Sequence, residues 1–383
     1  MKTTRIPWPA AAFATLPVVL LLFAACGPKN AKEWTVRTDE AAPADIETVA
    51  VSWEILPIDE REMPIPTPFS AKCYGSKTFL QAGHYPSGVK VYMLEEGRVA
   101  GVLDAQGRGP GEYQDLSGFA YCPETSELLI NDRILKGFRH FRVPEMTWES
   151  DEPLGRYLLN FEVLDATHSV FCYEPEGETP GRLVIWDHAR GEAVSSMEVS
   201  MLEGSLMEEM HQTRTARGAV LFSIPGRTTT LWRADVSGFS PVAEVALLPD
   251  AFGPEVWEEQ NRERLFQRFS EVMEKDPRMA IGADFPVLSG KSMAFWYHAG
   301  YASDPMWRLA ISRPDGVRTV SKLTVEGYPD PLQVIGSDGD RWISVLELEL
   351  LEDVPAPKGR LYTRLQELKA QGCETVLLFF SVL

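Results

Sequence analysis

From Ile46 onward, apolar, β-branched and aromatic residues come in short runs separated by Gly, Pro, Asp and Asn. Short runs bounded by such turn residues are strands of a sandwich, barrel or propeller. The runs gather into clusters of roughly four strands over about 40–50 residues, a propeller period. One cluster spans 69–104, with runs at 78–82, 89–94 and 99–103. A second holds 128–132 and 137–143, and a third covers 157–200 with a run at 183–187. The fourth covers 210–248, with runs at 219–223 and 230–234. The fifth covers 284–326, with 293–297 and 307–311, and the sixth begins near Leu332 and ends with 376–380.

The last cluster is one strand short, and the run at 48–55 is one strand over. If the N-terminal strand completes the last blade, the ring closes and loses its exposed edges. Trp53 and Phe379 then share a sheet. The expected fold is all-β: a six-bladed β-propeller over 46–383, closed by its N-terminal strand and interrupted by two helices. The first helix is expected over 254–276, where Leu265, Phe266, Phe269, Val272 and Met273 fall on one face; Pro254 suits its first turn and Pro277 stops it. The second is expected over 360–371, with Leu361, Leu365 and Leu368 inward and Gly372 at its end.

The N-terminus has a different pattern. A short basic start containing Lys2 and Arg5 precedes an apolar stretch from Ile6 to Ala25, then Cys26. That is the layout of a secretory signal peptide. Ala24-Ala25-Cys26 resembles the lipobox of bacterial lipoproteins, with Phe23 where Leu is usual. The resemblance implies a leader over 1–25, cleavage before Cys26 and acyl chains on that cysteine, which attach the chain to a membrane. An ordinary cleaved signal peptide and a retained helix are the alternatives; the helix is a poor fit, because Pro7, Pro9 and Pro17 interrupt a marginal length. Residues 26–45, rich in Ala, Pro and charge, read as a flexible tether.

Composition narrows the partners. The 383 residues carry a net charge of -18, and the leader contains no acid, so the remainder is more acidic still. Nucleic-acid binding depends on neutralising phosphates, so no nucleic-acid partner is expected. The acids read as a solvating surface. Cys73, Cys122, Cys172 and Cys373 are widely spaced, form no Cys-x-x-Cys pair and are expected to be mostly buried free thiols.

One loop carries a distinctive string: Gly107-Arg108-Gly109-Pro110-Gly111-Glu112-Tyr113. Three glycines around a proline permit positive φ and close backbone approach. The string resembles the hallmark loop of six-bladed β-propeller lipoproteins of Gram-negative gut-type bacteria, rings of the TolB-like or NHL-like kind. The run at 128–143 looks like that family's second blade, and 376–380 like its closing strand. Gly372-Cys373-Glu374 departs from the Asn-Pro step that relatives tend to have. The resemblance implies the fold and an outer-membrane lipoprotein, facing the periplasm or the surface, near glycan- or peptide-uptake systems. Two readings stay open for the loop. Gly107, Gly109, Gly111 and Glu112 can fix the crossing between blades, or Arg108, Glu112 and Tyr113 can line a ligand face.

No dinucleotide, Walker, His-Glu-x-x-His or Gly-x-Ser-x-Gly motif is present. The histidines, His84, His140, His168, His188, His211 and His298, are scattered. His84 and His298 follow apolar strands and are the candidates for a propeller channel, where they could bind a ligand or, with Glu112, a metal ion. Asp132 reads as a turn carboxylate, and Trp186, Trp232 and Trp307 as core between blades. The leading expectation is a non-enzymatic module that binds an envelope protein, glycan or peptide, with no cofactor. The alternatives are a metal-assisted hydrolase, lactonase or lyase in the channel, and a purely structural envelope component.

Overall fold

The computed structural model describes residues 35–37, 52–61, 63–84, 88–200, 203, 211–215, 218–224, 229–246, 259, 261–275, 280–289, 292–299, 306–313, 316–320, 323–354 and 359–382. The leader, Cys26 and most of the expected tether lie outside them. Three residues inside that tether, Thr35–Arg37, form a strand parallel to Gly238–Ala246.

The chain is a β-propeller made of antiparallel four-strand groups in sequence order. The first contains Pro68–Tyr74, Lys77–His84, Gly88–Glu95 and Arg98–Leu103. The second contains Leu116–Cys122, Glu127–Asp132, Gly137–Arg142 and Thr147–Pro153. The third contains Leu158–Val163, His168–Tyr173, Gly181–Asp187 and Glu192–Val199. Thr213–Arg214, Val220–Ile224, Thr229–Asp235 and Gly238–Ala246 follow, then Ala280–Ser289, Ser292–Ala299, Met306–Arg313 and Gly316–Val320.

The last group closes the ring. Val334–Asp338, Arg341–Glu347 and Thr375–Ser381 take Ser52–Pro57 as their outer strand. Trp53 pairs with Phe380 and Glu54 with Phe379, so the N-terminal strand sits where the strand count requires it. At the inner edge, Gly336 and Ser337 pair in parallel with Ala71 and Lys72, joining this group to the first. A Cβ on Gly336 would collide with the Ala71 carbonyl, so only glycine permits this approach.

Strands turn alternate residues to opposite faces, and each sheet here is buried on both. The cores therefore lie between consecutive groups. Phe79 and Met93 pack against Phe119 and Leu128. Phe138 meets Phe161 and Phe171, and Val170 and Leu183 meet Val220 and Phe222. Leu231 meets Phe295, and Trp296 and Leu309 meet Trp342 and Phe380. Ile343 and Leu377 return to Leu80 and Tyr92, which completes the circle.

Helix α1 runs over Arg262–Lys275, shorter at its start than expected. Asn261 caps this start: its Oδ1 accepts the Arg264 N–H at 3.1 Å, while Pro254, the expected start signal, lies outside the described residues. Leu265 is buried. Helix α2 spans Arg360–Ala370 and buries Tyr362, Leu365 and Leu368. Gly372, at φ +80, ends it, with the Gly372 and Cys373 amides bonded to Lys369 and Leu368.

Candidate functional site

The inner strands of all these groups converge on one cavity of about 130 Å³. Lys72, from the first group, donates to Glu162 Oε2 of the third at 2.9 Å and to the Phe161 carbonyl at 3.1 Å. Its ammonium lies between the rings of Phe119 and Phe161. The other Glu162 oxygen accepts the Tyr74 hydroxyl at 2.8 Å and the Val163 N–H at 3.0 Å. Glu162 is 2 % exposed, so this cluster ties sheets across the channel. Burial, followed by the neighbouring Glu162 charge, pushes the Tyr74 hydroxyl well above its ordinary pKa and keeps it a donor.

The adjoining wall has a different character. Arg214 donates its Nε to the Val163 carbonyl at 3.0 Å and lies over the Tyr74 ring. Among the described residues its Nη groups have no hydrogen-bond partner. Gln212 donates to the Asn160 carbonyl at 3.0 Å, while its buried Oε1 accepts nothing among the described residues. His211 bonds through its N–H and Nδ1 to Asp284 and stacks on Phe285 at 4.4 Å. The Asp284 carboxylate is buried and also receives the Phe285 N–H. Glu162 and Asp284 are thus both partnered by neighbouring donors, whereas among the described residues the Arg214 Nη groups and the Gln212 Oε1 have no partner. Phe69, half exposed, stands at the rim.

The glycine loop lies away from this cavity. Glu112 is exposed and its Oε2 accepts the Gly109 N–H at 2.6 Å. A Cβ on Gly107 would fill the space of that carboxylate. Gly111, at φ +77, lies 2.7 Å from the Trp148 side chain at its own would-be Cβ. Tyr113 is buried and donates its hydroxyl to the Val89 carbonyl at 2.6 Å. Its amide and carbonyl bond Ala105 and Gly107. Arg108 is exposed. These bonds lock the crossing from the first group to the second.

His84 ends the second strand of the first group, paired with Gly88, and His298 lies in the second strand of the 280–320 group, paired with Trp307. The side chains of His84, His298 and Trp307 lie outside the described residues. Asp132 accepts the Ile134 N–H at 3.0 Å, as a turn carboxylate does, and also the Arg139 guanidinium at 2.9 Å. Cys73, Cys122, Cys172 and Cys373 are free thiols. Among the described residues, one group combines imidazoles with a carboxylate at metal-ligand separations: His140, Glu152 and His188. Sequence reading passed over Lys72, Glu162, Arg214 and this trio. Isolated charges inside apolar strands were the only available signal.

No protein-family model and no curated protein matches the chain. A solved structure from Bacteroides fragilis, described as a candidate exported protein, aligns over 90 % of this chain and 98 % of its own, with TM-score 0.64 and 11 % identity. A Bacteroides vulgatus member of the DUF4221 family aligns over 89 % and 97 %, with TM-score 0.47 and 9 % identity. The β-propeller domain of the trilobed protease of Pyrococcus furiosus aligns over 74 % and 91 %, with TM-score 0.39 and 7 % identity. At such identities the likeness concerns the fold alone.

Proposed function

We propose that the chain is an exported, lipid-anchored, six-bladed propeller that binds a carboxylate-bearing group, the end of a peptide or a sugar acid, at the mouth of its central channel. The observation that carries this is the Arg214 fork on the cavity wall, beside the partnerless Gln212 carbonyl. A guanidinium pairs with a carboxylate through two parallel bonds, and the amide oxygen suits a neighbouring N–H or hydroxyl. The volume limits the ligand. A cavity of about 150 Å³ holds one benzene, so a single group of a larger molecule enters while the rest meets the rim at Phe69. The glycine loop stabilises the ring in this reading, with exposed Arg108 and Glu112 as outer contacts.

The test is calorimetric titration of short peptides and sugar acids into the chain and into Arg214→Met. Loss of a charge-assisted bond weakens binding by about 10–100-fold. Equal affinity in the folded variant rejects the site.

Anchoring is supported by the leader pattern and by Cys26. Among the described residues no helix is long and apolar enough to cross a membrane. Cys26→Ala is expected to abolish palmitate incorporation and move the chain out of the membrane fraction. Retention of both labels the lipoprotein reading as wrong. A second reading, catalysis in the channel, is favoured by the His211–Asp284 pair, in which the carboxylate orients the imidazole. His211→Asn would abolish a hydrolase or lactonase activity while sparing ligand binding.

A further inference from the structure

The groove between the second and third groups lies apart from the channel. It has a volume of about 400 Å³ and is lined by His140, Glu152, His188, Asp151, Asp165 and Thr167, among others. Register brings the trio together. A bulge between Trp148 and Ser150 sets Ser150 opposite His140 and Glu152 opposite Phe138. Glu152, two residues from Ser150, therefore shares the face of His140. His188 follows the Gly181–Asp187 strand of the next sheet and reaches back across the groove.

Both imidazoles point at one oxygen. His188 Nδ1 lies 2.6 Å and His140 Nε2 3.3 Å from Glu152 Oε2. The ligand atoms of all three residues fall within 4.8 Å of one another. Zinc bonds of about 2.0–2.2 Å put the ligand atoms of a tetrahedral site about 3.3–3.6 Å apart, so an ion fits among these atoms after shifts of about an ångström. The surroundings hold the ligands in place. Trp186 Nε1 donates to Glu152 Oε1 at 2.7 Å, which leaves Oε2 for the centre. Ser169 Oγ is 2.8 Å from His188 Nε2, a partner for the nitrogen opposite the ligating one. The side chains are 12 %, 19 % and 16 % exposed, so they are sheltered yet reachable from the groove.

We propose that His140, Glu152 and His188 bind one divalent transition-metal ion of the zinc class, with the remaining coordination positions open to the groove. Two imidazoles and one carboxylate suit such ions, whereas calcium and magnesium take oxygen ligands. The site uses none of the channel residues, so it stands or falls independently of the channel reading.

The test is titration of the chelator-stripped full chain with Zn²⁺ by calorimetry and with Co²⁺ by visible absorption. The expected result is one ion per chain and a Co²⁺ band that Zn²⁺ removes. Mg²⁺ and Ca²⁺ should not compete. His140→Ala and His188→Ala should each weaken binding by more than the roughly 10–100-fold expected for Trp186→Phe, an outer-shell change. Circular dichroism checks the fold. Should the histidine variants unfold, Glu152→Gln, which keeps an acceptor for Trp186, carries the same expectation. Binding no tighter than about 1 mM, or tight binding that these folded variants leave unchanged, overturns the proposal.

Discussion

Two carboxylates join neighbouring regions of this ring, and they are held by different chemistry. Glu162, in the channel, meets a lysine ammonium, a phenol and an amide. Glu152, in the groove, meets two imidazoles and an indole. An ammonium offers hydrogens but no lone pair, so the channel cluster is an ion pair that holds two sheets together. Imidazole nitrogens also bind metal ions, so the groove cluster can take up a cation. Burial works against the Glu152 charge, but the bonds from His140, His188 and Trp186 hold its carboxyl well below the usual range. A sheltered acid is thus a fixed tie or a candidate ion site according to whether its partners can themselves bind a metal.

The widest separation between the two regions is expected in stability. Glu162→Ala leaves Lys72 facing the interior without its counter-charge, which should cost about 3–5 kcal/mol. Glu152→Ala removes hydrogen bonds at a partly exposed carboxylate, at a cost of about 1–2 kcal/mol. Urea unfolding of both variants decides the point, and equal losses would erase the distinction. The hydroxyl and indole bonds sharpen it next. Tyr74→Phe should lose about 1.5–3 kcal/mol, because its bond is to a charged group in the interior. Trp186→Phe, at a more exposed carboxylate, should fall below about 1.5 kcal/mol. The reverse order would mean that exposure, not partner chemistry, governs the groove.

A smaller effect concerns acid. Burial raises the Asp165 carboxyl, but the Thr167 amide and His168 hold it below its ordinary 3.8. A lowered folded pKa adds stability above the unfolded value and loses it as pH falls through the folded one. The gap between the parent chain and Asp165→Asn should therefore be constant above about pH 5 and shrink below it. A gap that persists into acid unfolding would remove Asp165 from the groove's electrostatics. The smallest test is chemical. Burial pushes the Cys73 thiol, on the channel wall, to about 12. Iodoacetamide at mildly alkaline pH should leave it unmodified by mass spectrometry until the chain unfolds, and rapid labelling would show a wetter channel than its packing implies.

The architecture was legible in the chain because its signals are local. Apolar runs bounded by Gly, Asp and Asn marked the strands, and the count of one strand over at 48–55 and one short at the end anticipated the Trp53–Phe380 pairing. Gly372 marked the end of α2 by its positive φ. At α1, local reading missed the cap that the Asn261 side chain supplies. Trp186 packs against the core between two sheets, as the strand pattern indicated, but the pattern did not reveal that its indole also donates to Glu152 there.

The chain by itself therefore determined strand periodicity, the closing strand, the glycine crossing and the leader pattern, since each depends on residues close together or on a simple count. Only the tertiary structure decided which charges meet. His140 and Glu152 come from neighbouring strands of one sheet and His188 from the turn after a strand of the next, while Lys72 and Glu162 come from strands of two sheets. Their encounter depends on a bulge, on sheet stacking and on the radial arrangement that points every inner strand at one axis. Those are properties of how sheets pack, and no spacing along the sequence encodes them.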